Sequence, residues 1–260
     1  MKQKAPGAAP PWLRMYRLRF PYKDPSPHPS YDAAVISSVP EMDDWIRRLF
    51  SPFLRDVISK DTRFSGEEAP VGAVFRLMRD GPNTGKARGQ IRIRPPGSRS
   101  ASEKRPEGMA GELECQVIEH VSWNLTRYSQ IHAAFVAKEA SGLLIPGRTH
   151  IGKTTLALTL WELGWTMYSD DLAVLQPESR LFLPFPRALK LEGRTLEHLK
   201  APALGYELRL GPPDYSNPFA YFHPSWLSPK RGEDHPPKPV EARWIVFPRR
   251  RERARKKHEL

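Results

Sequence analysis

The chain of 260 residues has a single cysteine, Cys115, so no intramolecular disulfide can form and no cysteine-based metal cluster exists. Within Leu113-Glu114-Cys115-Gln116-Val117 it reads as a small buried thiol on an alternating strand. No apolar run approaches the length of a membrane span. The start, Met1-Lys2-Gln3-Lys4 followed by proline-rich sequence, lacks the apolar core of a secretory signal. We therefore expect a cytoplasmic protein without a membrane partner. Lys257-His258-Glu259-Leu260 mimics an endoplasmic-reticulum retention address, which has nothing to act on without a signal peptide. Internal repeats are absent, and the hydrophobic share of 39% is low for a globular chain.

Proline and positive charge are abundant. Twenty-eight prolines point to a folded core diluted by loops and partly ordered tails. The net charge of +12 is concentrated near the two ends and reads first as solvated surface. An attraction to phosphate-rich ligands or an acidic peptide is the functional alternative. Nucleic acid is not expected, because no basic stripe interleaved with aromatics lies on a recognisable nucleic-acid module.

Residues 1–11 read as disordered, and His28 sits among turn residues. Trp12 to Tyr22 alternates as a strand. Met42 to Ile58 has a helical period that Pro52 ends or kinks near its middle. Val71 to Met78 reads as a strand, and Pro95 to Gly108 has linker composition. These features divide the chain into an N-terminal α+β region (1–108), a P-loop domain (109–248) and a basic tail (249–260). In the second region we expect a strand at Gly111–Ile118, a short helix capped by Ser122, and two strands, Ile131–Ala137 and Gly142–Pro146, joined by a tight turn.

The motif that organises the chain is Gly147-Arg148-Thr149-His150-Ile151-Gly152-Lys153-Thr154-Thr155, or G-x-x-x-x-G-K-T. An apolar strand precedes it, and Leu156, Leu160 and Leu163 follow at helical spacing before a capping Gly164. Strand, glycine-rich loop and helix converge backbone N–H groups and a helix dipole on an anion. Lys153 would reach the outer phosphates of ATP and the Thr154 hydroxyl would help hold Mg²⁺.

After the helix the pattern is strand, Ser169-Asp170-Asp171, strand. A P-loop kinase needs a carboxylate for its metal and one for the acceptor's proton. Adjacent strand residues point to opposite faces, so both aspartates can serve one site only if the strand breaks there, with Ser169 helping. A parallel strand beside the P-loop strand would bring them to the phosphates. Read alone, the aspartates could equally be a turn or cap, and His132 on its apolar segment a core residue.

Together these residues resemble the HPr kinase/phosphorylase-like serine kinases over about 123–191. The likeness is carried by Ile131-His132-Ala133-Ala134, by Leu143 to Pro146 with the P-loop, by Tyr168-Ser169-Asp170-Asp171, and by Pro184-Phe185-Pro186-Arg187-Ala188-Leu189-Lys190-Leu191. The resemblance implies an α/β fold with a P-loop-containing mixed sheet flanked by helices, like that of phosphoenolpyruvate carboxykinase. It implies Asp170 as general base, Asp171 as metal partner with Thr154, and His132 near the transferred phosphate. The E-I-R-G-x-G signature of the phosphorylases has no equivalent; Leu191-Glu192-Gly193-Arg194 is a distant echo. HPr as substrate and the reverse reaction are therefore not expected. The likeness is closer to divergent relatives, some associated with peptide natural products, that phosphorylate a precursor peptide. Those relatives continue past Trp244–Phe247 into further sheet and helix, which leads us to expect a C-terminally shortened form.

The expected function is an ATP- and Mg²⁺-dependent kinase acting on a serine of a protein or peptide. A nucleotide-binding module without transfer and a small-molecule kinase remain as alternatives, and homo-oligomerisation stays open. Acceptor choice would lie in the loops of Ala201–Glu241.

Overall fold

The computed structural model of the chain describes residues 13–20, 32–51, 53–60, 73–80, 90–94, 101–103, 106–185, 187–192, 195, 209–210, 219–222 and 237–249. The expectations for residues 1–11, for His28, for most of Ala201–Glu241 and for the tail beyond Arg249 lie outside these. Two compact units form. One combines Met1–Leu125 with Arg187–Pro229, and the other combines Thr126–Pro186 with Lys230–Leu260. The expected boundary at residue 108 falls inside a helix of the first unit.

That first unit is built on six strands: β1 (Leu13–Arg19), β2 (Asp32–Ser37), β3 (Leu54–Lys60), β4 (Ala73–Asp80), β5 (Gln90–Arg94) and β6 (Ala101–Glu103). Their order is β3-β1-β2-β4-β5-β6, with only β2 and β4 parallel. Two helices, α1 (Asp43–Leu49) and α2 (Pro106–Asn124), pack on each other, and α2 also meets β5 and β6. Tyr16, Phe20, Phe50, Phe75, Met109 and Leu113 are among its buried side chains.

Several expectations are corrected here. The helical period of Met42–Ile58 does not carry through. The helix stops at Leu49, Phe53 and Leu54 donate back to the Phe50 carbonyl at 2.8 Å each, and Leu54–Lys60 pairs with β1 instead. Pro52 lacks the N–H a helix needs, and Val57 and Ile58 suit a strand. The strand expected at Gly111–Ile118 is the middle of α2. Leu113, Val117, Ile118 and Val121 are buried, which is the i, i+4, i+5, i+8 spacing of one helical face. Ser122 lies in the last turn of α2 and caps no new helix. Cys115 falls on the opposite face and is exposed. Partial burial and the nearby carboxylates Glu114, Glu112 and Glu119 push its thiol up, so it is a poor nucleophile. The segment Pro95–Gly108 includes β6 and the first residues of α2.

The second unit is a seven-stranded mixed sheet. Its strands are β7 (Ser129–Ile131), β8 (Ala133–Lys138), β9 (Ser141–Pro146), β10 (Thr166–Ser169), β11 (Ala173–Gln176), β12 (Leu181–Leu183) and, after a long excursion, β16 (Val240–Ile245). In the excursion, β13 (Leu189–Glu192), β14 (Arg209–Leu210) and β15 (Phe219–Phe222) make a separate small sheet in the first unit. The large sheet is ordered β10-β8-β9-β16-β12-β11-β7, with β9 and β16 its parallel pair. The helix α3 (Lys153–Glu162) lies across β8, β9 and β10. On the opposite face Phe135 stacks on Phe182 at 4.4 Å and meets Tyr168 edge-on at 5.3 Å. The chain is thus a mixed α/β protein with mixed sheets and few helices.

In the first unit Asp43 accepts hydrogen bonds from the buried Tyr16 hydroxyl (2.5 Å) and from Arg47 (3.1 Å), and pairs with Arg14 at 2.6 Å. Burial alone would raise the Asp43 carboxyl, but the bonds from Tyr16, Arg14 and Arg47 outweigh it and hold the carboxyl below its ordinary 3.8. Burial and the same contact push the Tyr16 phenol well above its usual range. Asp43→Ala should cost about 1–3 kcal/mol in urea unfolding, because it orphans a buried hydroxyl, and adding Tyr16→Phe should recover part of that loss. A group whose folded value is depressed stabilises fully above its unfolded value. The Asp43 contribution should therefore fade as pH drops below 3.8, and an acid titration of wild type against the double variant reads this directly.

Candidate phosphate-binding and phosphotransfer site

The antiparallel register of β8 and β9 sets Ala133 opposite Pro146. It follows that His132, just before β8, stands beside Gly147, just after β9. The loop from Gly147 to Gly152 then turns into α3. Two residues in it are left-handed, His150 (φ 62°) and Gly152 (φ 109°). A Cβ at Gly152 would meet nothing within 4 Å, so backbone conformation alone calls for glycine there. At Gly147 a Cβ would come within 2.8 Å of Ile151 Cγ2 and 3.7 Å of Pro248 Cγ. The loop is thus seated against the segment that leaves β16. Arg148, Thr149 and His150 are exposed. No side chain caps α3, so its first turn keeps the open, electropositive end that an anion would occupy.

Lys153 is only 5% exposed. Its Nζ donates to the Gly147 carbonyl (2.9 Å) and the Arg148 carbonyl (3.3 Å), and lies 3.0 Å from His132 Nε2. An ammonium has three protons and no lone pair, so His132 Nε2 must accept. The ring proton then sits on Nδ1, which faces Asp171 Oδ1 at 3.1 Å. Ammonium, neutral imidazole and carboxylate form one chain.

Asp170 and Asp171 reach the loop from the end of β10. They do so without a parallel neighbour, since β10 pairs antiparallel with β8 and β8 separates it from β9. The strand direction reverses twice, so β9 and β10 still finish at the same end of the sheet. The register slips between Met167 and Ser169, and Ser169 Oγ accepts from the amides of Asp171 (3.3 Å) and Leu172 (2.9 Å). This serine turn is the break that lets both carboxylates face the loop. Asp170, 7% exposed, accepts from the Thr154 hydroxyl at 3.3 Å, while Asp171 stays half-exposed beside His132. The pairing therefore joins Thr154 to Asp170 and His132 to Asp171, the reverse of what the resemblance implies for the aspartates.

A hydroxyl beside a carboxylate is a hard oxygen pair of the kind Mg²⁺ takes, and Mg²⁺ needs only one or two protein ligands. Among the described residues, here or elsewhere, no group of three or more His, Cys, Asp or Glu side chains gathers as a metal cluster. Thr155 completes the first turn of α3, and its carbonyl accepts from the Thr159 hydroxyl at 3.0 Å. Sequence reasoning missed Pro248 against Gly147 and Tyr168, whose hydroxyl donates to the Lys238 carbonyl at 2.5 Å. Both contacts bridge distant parts of the chain, and nothing local signals them.

The fixed tautomer is measurable. Nitrogen NMR of His132 should show a protonated Nδ1 and a bare Nε2 in the nucleotide-free protein. Lys153→Met should remove the donor to Nε2 and shift that resonance, whereas Lys153→Arg should shift it less. No protein-family model matches the chain, and no curated protein matches it.

Proposed function

We propose that the chain is an ATP- and Mg²⁺-dependent kinase that transfers the γ-phosphoryl group to a serine of a protein or peptide. The observation carrying this reading is that Lys153, Thr154, His132, Asp170 and Asp171 converge on the mouth of one P-loop, linked by contacts of 3.0–3.3 Å. A phosphate-binding loop alone would fit an ATPase or a switch. A buried carboxylate beside the loop threonine, with a second and accessible carboxylate holding a histidine, is the equipment of transfer to a hydroxyl.

In this reading the loop amides and the N-terminus of α3 receive the phosphates, and Lys153 exchanges the Gly147 and Arg148 carbonyls for β- and γ-phosphate oxygens. Thr154 and Asp170 would hold Mg²⁺, which supplies charge neutralisation on those oxygens when bound. Moving Lys153 to the phosphates uncovers His132 Nε2. That nitrogen takes the proton of the acceptor hydroxyl while Asp171 stabilises the imidazolium through Nδ1–H. The serine oxygen forms its bond to the γ-phosphorus as the bond to the bridging oxygen breaks, and ADP leaves with the electron pair. Asp170, buried and engaged by Thr154, suits the metal better than the acceptor proton, so the base falls to the half-exposed His132–Asp171 pair. This differs from the roles the resemblance implies.

Labelled ATP and a serine-peptide library test the reading. Lys153→Ala should abolish transfer. His132→Gln and Asp171→Asn should each lower kcat about 10²–10⁴-fold while leaving nucleotide affinity nearly unchanged. Asp170→Asn should instead raise the Mg²⁺ concentration needed for half-maximal rate. Nucleotide binding by the wild type with no label transfer to any peptide would sink the kinase and favour a nucleotide-dependent binding module.

A further inference from the structure

Trp244, Ile245, Val246 and Phe247 are consecutive and exposed, at 50%, 58%, 40% and 70%. Trp244 and Ile245 end a strand in the middle of a sheet, where burial is the rule, and Val246 and Phe247 follow it directly. The cause is the length of the neighbours. β9 pairs with β16 from Glu241 to Ile245, and the Val246 amide donates to the Leu144 carbonyl at 2.9 Å. β12 pairs only with Val240 and Glu241, because a turn through Pro177–Arg180, with Arg180 left-handed (φ 57°), precedes it. Among the described residues, no strand therefore pairs with Ala242–Ile245 on the β12 side. Strand residues alternate in direction, so with Val246 turned to β9, the N–H and C=O of Ile245 face the opening.

Edges of this kind are normally blunted by a lysine, a proline or an inward-pointing charge. This one has a register shift between Ala242 and Trp244 but is apolar from Trp244 to Pro248, and Trp165 supports it by meeting Trp244 edge-on at 6.4 Å. Its flanking charges are mainly basic. Arg243 and Arg249 on this segment and Arg180 just before β12 are exposed, against the exposed carboxylates Glu241 and Glu178. A second copy of the chain is a poor occupant. It would bring together two chains carrying +12 apiece. The open edge runs toward Pro248, whose Cγ would stand 3.7 Å from a Cβ at Gly147 in the P-loop.

We propose that this half-edge is the docking site of the phosphate acceptor, an extended acidic peptide that adds as a strand beside Ala242–Phe247. Main-chain bonds to Ile245 provide affinity, alternate apolar side chains cover Trp244 on one face of the strand, and carboxylates meet Arg243, Arg249 and Arg180. The peptide then leads toward the mouth of the P-loop. This names the substrate class and rests, for its role as substrate, on the kinase reading above.

The test uses the full chain and a fluorescent nonapeptide of alternating glutamate and valine with one serine, followed by anisotropy without nucleotide. Binding is expected, weakening as salt rises. Ile245→Pro, which removes an outward N–H while leaving the bonds to β9, and Arg243→Glu should each weaken it at least tenfold. Lys153→Ala should bind the peptide as wild type does. Circular dichroism and nucleotide affinity identify any variant that has simply unfolded, and for such a variant Ile245→Thr with an N-methylated peptide replaces it and should show the same loss. Equal binding by wild type and folded variants, no binding by wild type, or equal binding of a lysine–valine peptide would overturn the proposal. So would sedimentation showing a dimer that Ile245→Pro dissociates. Phosphorylation undiminished in Ile245→Pro refutes the docking site and leaves the kinase standing. Edge binding without phosphorylation by wild type refutes the kinase and, with it, the substrate role.

Discussion

Phe135 can lie across the sheet of the second unit only because residue 142 has no side chain. A Cβ at Gly142 would stand 2.2 Å from Phe135 Cζ and 2.7 Å from the Glu241 carbonyl oxygen. The ring and the backbone of β16 both press on that one position. Through Phe135 the constraint extends to Tyr168 and Phe182, and so to β10 and β12. A sheet whose side chains alternate cannot slip by one residue without turning this cluster outward. The same register decides that His132 meets Gly147 and that β10 ends beside Thr154. The aromatic packing on one face thus sets the polar geometry at the end of the strands.

The two units use ionised groups to different ends. In the first, Asp43 is surrounded by Arg14, Arg47 and Tyr16 and is satisfied within the fold, with the Arg47 guanidinium 5.9 Å from the Tyr16 ring centre. Arg187 likewise closes on buried Glu114 at 3.0 Å, joining the start of the small sheet's first strand to α2. Both are pairings of one side chain with another inside the unit. Lys153 is different, because two of its partners are backbone carbonyls of the loop whose conformation defines the site. In the proposed kinase, a cation held by groups that a phosphate can replace would be poised for exchange and would restrain the histidine until that exchange occurred.

What the sequence made legible was local. The β8–β9 hairpin, the loop, α3 with its terminal Gly164 (φ 88°) and the break at Ser169 each depend on residues close along the chain. Leu113, Cys115 and Val117 misled because alternation over five residues also fits one helical turn. Only the burial of Ile118 and Val121 separates the two periods. Val57 and Ile58 misled in the opposite sense, since β1 pairing overrode a weak helical spacing. Which aspartate contacts Thr154 and which contacts His132 was hidden because it depends on how far the chain turns after a bulge in β10. Strand order was hidden for a related reason. Nothing in Val240–Ile245 says that it belongs between β9 and β12.

That insertion governs how the unit is assembled. Ser141 and Glu241 are partners 100 residues apart in sequence, and the strand that joins the two halves of the sheet is the last of its strands to be made. Until it emerges from the ribosome, β9 and β12 each expose a bare edge. The hairpin carrying the P-loop can form early, but it has to wait for its neighbour. Loop closure over such a separation is entropically costly and slow. The nascent chain therefore passes through a stage with the Gly147–Gly152 loop already shaped and its sheet still split. At that stage it is most open to chaperones and to mispairing.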